Sequence, residues 1–236
     1  MSLLSQFGGF TAAILAASLS FAAAQAAGPV LMPDGRPATL RDLRPGERPA
    51  IDPKRAALLI IDAQNEYVDG KLPLEGFDPA VVQIQALRAW AHENGALVIH
   101  IRQIAGPTSP IFAAGGHGAE IIAQLTPTTD ELVIDKALPN SFHATALQKA
   151  LKAAGKDQLI VTGFMAHMCV DATTRAGFDL GYQNYVVASA TADRALPDPL
   201  GGVVTAAEVK RVALTALNDR FAWVLKDAAE VKASAK

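Results

Sequence analysis

The stretch "DQLIVTGFMAHMCVDATTRAGFDLGYQNYVVAS" (residues 157–189) passes from an apolar run through a glycine into a helix-like segment, then through a second glycine into another apolar run. Residues 157–163 and 184–189 read as short strands, and 168–181 as a helix that stops at Gly181. Two strands joined through an intervening helix run parallel, because a parallel pair needs a crossover rather than a tight turn. The stretch also holds the one cysteine of the chain, Cys169, six residues after Gly163.

The same alternation extends outward on both sides. "AALLIID" (56–62), "ALVIHIR" (96–102), "ELVID" (131–135) and "FAWVL" (221–225) predict four further strands. Helices are predicted from Asp78, as cap before Pro79, to Gly95, and from Ser141, as N-cap, to Gly155. A capped amphipathic helix is expected over 205–220, and "AEIIAQL" (119–125) reads as a short helical piece after a long loop. Continuous apolar strands, each followed by a helix, indicate a sheet covered on both faces. The expected fold is α/β, a three-layer doubly wound fold with a mainly parallel six-stranded sheet.

Of 236 residues, half are hydrophobic and 19% charged, which marks a globular chain with material for one core. A net charge of −2 with no basic stripe argues against nucleic acid or an anionic membrane surface as partner. The first 33 residues carry no charged side chain, and "GGFTAAILAASLSFAAA" precedes the small-x-small site Ala24-Gln25-Ala26. Residues 1–26 are therefore expected to be a cleaved signal peptide, making the mature protein periplasmic or secreted. No Lys or Arg precedes the apolar stretch, so an apolar helix packed on the domain is the alternative. Residues 27–53 hold six of the fourteen prolines and read as an extended arm, leaving 54–236 as the folded domain.

In doubly wound sheets, ligands bind beyond the carboxyl ends of the strands. Asp62 follows the first strand, Lys136 follows the third, and Cys169 lies at the opening of the helix after the fourth. Each has an ordinary reading: a turn-capping Asp, a solvated Lys, a core Cys. Together they face one edge, and their chemistry fits. A carboxylate can take a thiol proton, and an ammonium can hold that carboxylate ionised and oriented. The helix opening and the Lys136 charge would leave the thiol partly ionised near neutral pH.

"LLIIDAQNEYVDG", "VIDKALPNSFHATAL" and "VTGFMAHMCVDATTRAGFDLGY" resemble the isochorismatase-like cysteine hydrolases, a superfamily that includes nicotinamidases and N-carbamoylsarcosine amidase. The resemblance runs from about Arg55 to the C-terminus and includes "GHGAEIIAQLTP". It implies Asp62 as base, Lys136 as its partner and Cys169 as nucleophile. It also implies a cis peptide between Phe164 and Met165, with the N–H groups of Met165 and Cys169 forming an oxyanion hole. Relatives commonly form dimers or tetramers, so a homo-oligomer is expected.

Two departures matter. Ala166 stands where many relatives have Thr, and "VIHIRQIAGPTSP" (98–110) lacks the Asp-x-His triplet of the nicotinamidase metal site. The five histidines show no zinc-motif spacing, so neither metal nor cofactor is expected. Asn65, Tyr67, Phe142 and His167 are candidate substrate-binding residues, although Tyr67 and Phe142 read equally as core aromatics. Arg102 and Gln103, at the end of the second strand, face either substrate or solvent. The expected activity is metal-independent hydrolysis of a small carboxamide or ureido compound through a thioester. Vinyl-ether hydrolysis, or small-molecule binding without turnover, is the alternative.

Overall fold

A computed structural model describes residues 28–44 and 46–235, so the expected leader over 1–26 lies outside the described residues. The chain divides into two compact units at Ala38 and Thr39. In the first, Leu31 and Pro37 bridge across a turn closed by the Gly35 N–H donating to Met32 O at 2.9 Å.

The second unit is built on β1 (Ala56–Ile61), β2 (Leu97–Gln103), β3 (Leu132–Lys136), β4 (Gln158–Phe164) and β5 (Gln183–Ala192). A two-residue pair, β6 (Leu196–Pro197) and β7 (Val203–Val204), forms a separate antiparallel ribbon, and β8 (Trp223–Leu225) completes the main sheet. Its order is β3-β2-β1-β4-β5-β8, with every pairing parallel. The chain winds outward from β1 to β3, then returns to β4 on the other side of β1. That reversal opens a crevice between the carboxyl ends of β1 and β4, the place where such folds bind ligands.

Strand alternation assigns the two faces. Ala56, Leu58 and Ile60 join Ile84 and Leu87 of α1 (Phe77–Asn94) and Val231 of α5 (Ala228–Ser234). Ala57, Leu59 and Ile61 join Leu151 of α2 (Leu147–Ala153) and Leu217 of α4 (Ala206–Arg220). Every residue of β1 is buried, as a strand sandwiched between two helical layers requires. Between β4 and α3 (Asp171–Asp179) the chain makes one π-helical turn, Ala166–Val170.

Local boundaries depart from the sequence expectation for identifiable reasons. Gly76, in the left-handed region at φ 76°, turns the chain into α1, so Asp78 lies inside the first turn and caps nothing. Ser141 does not cap α2, because its hydroxyl and N–H engage Thr173 Oγ1 at 2.8 and 3.0 Å. "AEIIAQL" is pulled out of helical form: the Asn65 N–H donates to Glu120 O and the Ile122 N–H to Ala63 O. Short 3-10 turns remain at His117–Ala119 and Ala123–Leu125. On α4 the expected cap is present, a reciprocal pair between Thr205 and Glu208. Residues 39–53 run along the second unit, and Ile51 is fully buried beside the end of α5.

Candidate active site

At the end of β1, Asp62 takes a left-handed backbone conformation (φ 51°), which Asp tolerates better than most residues. Its N–H donates to Ile101 O on β2 at 2.8 Å. Beside it, Gly163 has φ 103°, and a Cβ there would fall 2.0 Å from Ile61 O. Only glycine lets β4 close on the end of β1, and that approach brings the Cys169 turn to Asp62. The peptide joining Phe164 to Met165 is cis.

Lys136 ends β3, two strands away from β1, and its side chain crosses the end of β2 to reach the crevice. Its ammonium stands 2.8 Å from Asp62 Oδ2, donates to Cys169 Sγ at 3.3 Å and donates to Gln103 Oε1 at 2.6 Å. Asp62, Lys136 and Cys169 are 0, 3 and 5% exposed. Lys136, the Cys169 thiol and the Gln103 backbone N–H all act on the Asp62 carboxylate, with the Lys136 charge the strongest of the three. The crevice thus holds an ion pair against a thiol. A cleft of about 460 Å³ opens beside Lys136, lined among others by Ile104, Leu138 and His143.

The remaining candidates divide. Tyr67 is buried edge-on to Phe112 and Phe164, at ring distances of 5.3 and 6.0 Å, and its phenol lies within the fields of Asp62, Cys169 and Asp193. Asn65 turns toward the next loop, donating to His117 O at 3.2 Å. Phe142 stacks on Tyr182 at 5.5 Å within the second core face. Arg102 is paired with Asp135 at 2.7 and 2.9 Å on the outer edge, whereas Gln103 holds Lys136. His167 Nδ1 meets Asp193 Oδ1 at 2.5 Å, and its backbone N–H donates to Asp193 Oδ2 at 3.1 Å.

The family model described as the isochorismatase domain matches residues 56–229. The chain belongs to the isochorismatase family. A secreted isochorismatase effector of Verticillium dahliae is 36% identical over 166 residues, covering 70% of this chain and 85% of its own. A ureidoacrylate amidohydrolase of Pseudomonas savastanoi pv. phaseolicola is 30% identical over 195 residues, covering 68% and 79%. Among solved structures, an isochorismatase from Pseudomonas putida KT2440 superposes with a TM-score of 0.77 at 36% identity, over 82% of this chain and 98% of that one. The chain is accordingly a hydrolase of the isochorismatase family.

Electrostatics set the resting protonation of this isochorismatase-family site. Burial pushes the Asp62 carboxyl up, opposed by the Lys136 charge. Burial also pushes the Cys169 thiol up, the Asp62 charge adds to that, and Lys136 works in the other direction. Burial and the Asp62 charge both favour the proton on sulfur, the opposite direction to the partly ionised cysteine expected from the helix opening and Lys136. Cys169 is the fourth residue of a π turn rather than the opening of a regular helix, and its lost hydration outweighs one nearby ammonium. Burial and three neighbouring acids raise Tyr67 well above its ordinary range, so it stays a neutral hydroxyl.

Asp193 was invisible in the sequence. It is 1% exposed directly after β5 and receives three hydrogen bonds, two from His167 and one from the Arg194 N–H. Among the described residues, no group of three or more His, Cys, Asp and Glu side chains could hold a metal ion. Among the same residues no helix is long and apolar enough to cross a membrane.

Proposed function

We propose that this hydrolase cleaves a small carboxamide or ureido compound with Cys169 as nucleophile and without a metal. The observation that carries the reading is the Lys136 ammonium held between the Asp62 carboxylate and the Cys169 sulfur, all three buried at the crevice. Asp62 takes the thiol proton as sulfur attacks the carbonyl carbon. The oxyanion rests on the N–H groups of Met165 and Cys169. Asp62 then hands its proton to the departing nitrogen, releasing ammonia or an amine and leaving a thioester. A water molecule, deprotonated by Asp62, cleaves the thioester to the acid and restores the thiol. Lys136 balances the charge of Asp62 throughout. A carboxyl raised by burial suits a group that must both take and return a proton. His167 and Tyr67 border the substrate, and the ureidoacrylate activity of one relative favours a ureido group.

Intact-mass analysis during incubation with a panel of amides and ureido acids tests this. A mass increase on Cys169, absent in Cys169→Ala along with turnover, supports it. Vinyl-ether turnover surviving Cys169→Ala identifies the other chemistry of the superfamily and sinks the amidase reading, as does unaltered ligand binding without turnover.

Export and self-association belong to the same proposal. The uncharged leader and the secreted Verticillium relative support export. N-terminal sequencing of the native protein should begin near Ala27, and a cytoplasmic protein starting at Met1 or Ser2 would contradict it.

A further inference from the structure

A second cleft, of about 270 Å³, lies at the other edge of the sheet, where Tyr182 precedes β5 and Trp223 opens β8. Strands of six or seven residues separate this edge from the catalytic crevice by roughly 20 Å. Three guanidinium groups line it: Arg41, Arg44 and Arg220. Arg41 lies over the Trp223 ring at 3.9 Å, and Arg220 over the Phe178 ring at 5.3 Å. Asn218 occupies Arg41 Nη2, and among the described residues the buried Nη1 has no hydrogen-bond partner. The hydroxyl of Tyr182, a residue only 8% exposed, is likewise buried and unpartnered. Among the described residues Glu47 is the one acid in the lining itself, while Asp42 and Asp219 outside it act on the Arg41 charge.

We propose that this cleft is a second, non-catalytic site for a single-ring aromatic acid. Unmet donors on Arg41 and Tyr182 call for an acceptor, and the guanidinium groups of Arg44 and Arg220 in the same lining favour a negative charge. Phe178, Tyr182 and Trp223 supply flat apolar walls for a ring, while the volume, at the small end for ligand sites, excludes larger molecules. Carboxylate and ring together satisfy both halves of the lining. Burial lowers the affinity of Arg41 for its proton more than Asp42 and Asp219 restore it, and a bound carboxylate would offset the remainder.

The test titrates the full chain with benzoate, benzamide, cyclohexanecarboxylate and inorganic phosphate, read by calorimetry and by Trp223 fluorescence. Benzoate should bind about ten-fold more tightly than benzamide, which keeps the ring and lacks the charge. It should also bind more tightly than cyclohexanecarboxylate or phosphate. Arg44→Gln with Arg220→Gln should weaken benzoate about ten-fold or more at unchanged melting temperature. Cys169→Ala should bind benzoate like the wild type, so the result stands apart from the catalytic reading. The proposal is overturned if benzamide or phosphate binds as well as benzoate. It is equally overturned if the double variant binds unchanged, if Cys169→Ala abolishes binding, or if benzoate does not bind.

Discussion

Around Glu131, where α1 packs over β2, three side chains and a backbone N–H converge on one buried carboxylate. Around Asp62, at the crevice between β1 and β4, one ammonium, a thiol and a backbone N–H face a carboxylate that is more deeply buried. Arg88 gives Glu131 two bonds of 2.6 Å, His92 and His100 approach at 2.9 and 3.1 Å, and the Thr128 N–H donates at 2.9 Å. Burial opposes the Glu131 charge, but these donors outweigh it and hold the carboxyl down at about 2. With Asp62 burial wins, and the carboxyl moves up. A carboxylate satisfied on every side is a fixed charge that anchors structure. One buried so deeply that its partners do not offset the lost hydration keeps an appetite for a proton, which is what a general base needs.

The largest effect expected from breaking this contrast is at Lys136. Lys136→Met removes the counter-charge of Asp62, and stranding a buried carboxylate costs about 3–5 kcal/mol of stability, with turnover lost as well. Urea denaturation should show the loss, and Asp62→Leu in the same chain should restore much of it. An unchanged midpoint in the single variant would mean that the pair is not buried as described.

A smaller, purely catalytic effect is expected at Asp193. Asp193→Asn keeps an acceptor for the His167 backbone N–H but exchanges a charged partner of Nδ1 for an amide. Turnover should drop about ten-fold while the melting temperature holds. An imidazole tautomer unchanged by nuclear magnetic resonance, with unchanged kcat, would reduce Asp193 to packing.

At Glu131 the effect is confined to acid. Its folded-state affinity for protons is depressed, so its stabilisation is present above the unfolded value near 4.5 and is lost as pH falls toward about 2. Glu131→Gln should therefore flatten the fall in stability between those values. A variant with the wild-type acid slope would contradict the assignment. The smallest effect is at the exposed Arg102–Asp135 pair, where Arg102→Gln should cost less than about 1 kcal/mol and leave turnover intact.

The sheet and the convergence of Asp62, Lys136 and Cys169 were legible because their signals are local. Apolar runs ending in Asp62, Lys136 and the Gly163 turn mark strand ends, and strand ends define the functional edge. Asp193 was not legible, since β5 reads as ending near residue 189. A register shift opposite Val161 and Gly163 carries the strand on to Ala192. Helix α5 spans seven residues with two buried, too few to show a period. Ser141 looks like a cap until Thr173, distant in sequence, claims it. The upward push on the thiol was out of reach for the same reason: desolvation belongs to the packed site, and no residue spacing encodes it.

The central claim is that Asp62 both holds the Cys169 proton in place and receives it during attack. The pH dependence of Cys169 alkylation by iodoacetamide, in wild type and in Asp62→Asn, tests this most directly. In the wild type the transition should lie above that of a free cysteine, about 8.5, because burial and the Asp62 charge both oppose the thiolate. In Asp62→Asn it should move down, since the repelling charge is gone and Lys136 remains, while amide turnover is lost. A wild-type transition below that of free cysteine, or one indifferent to Asp62→Asn, would contradict the account.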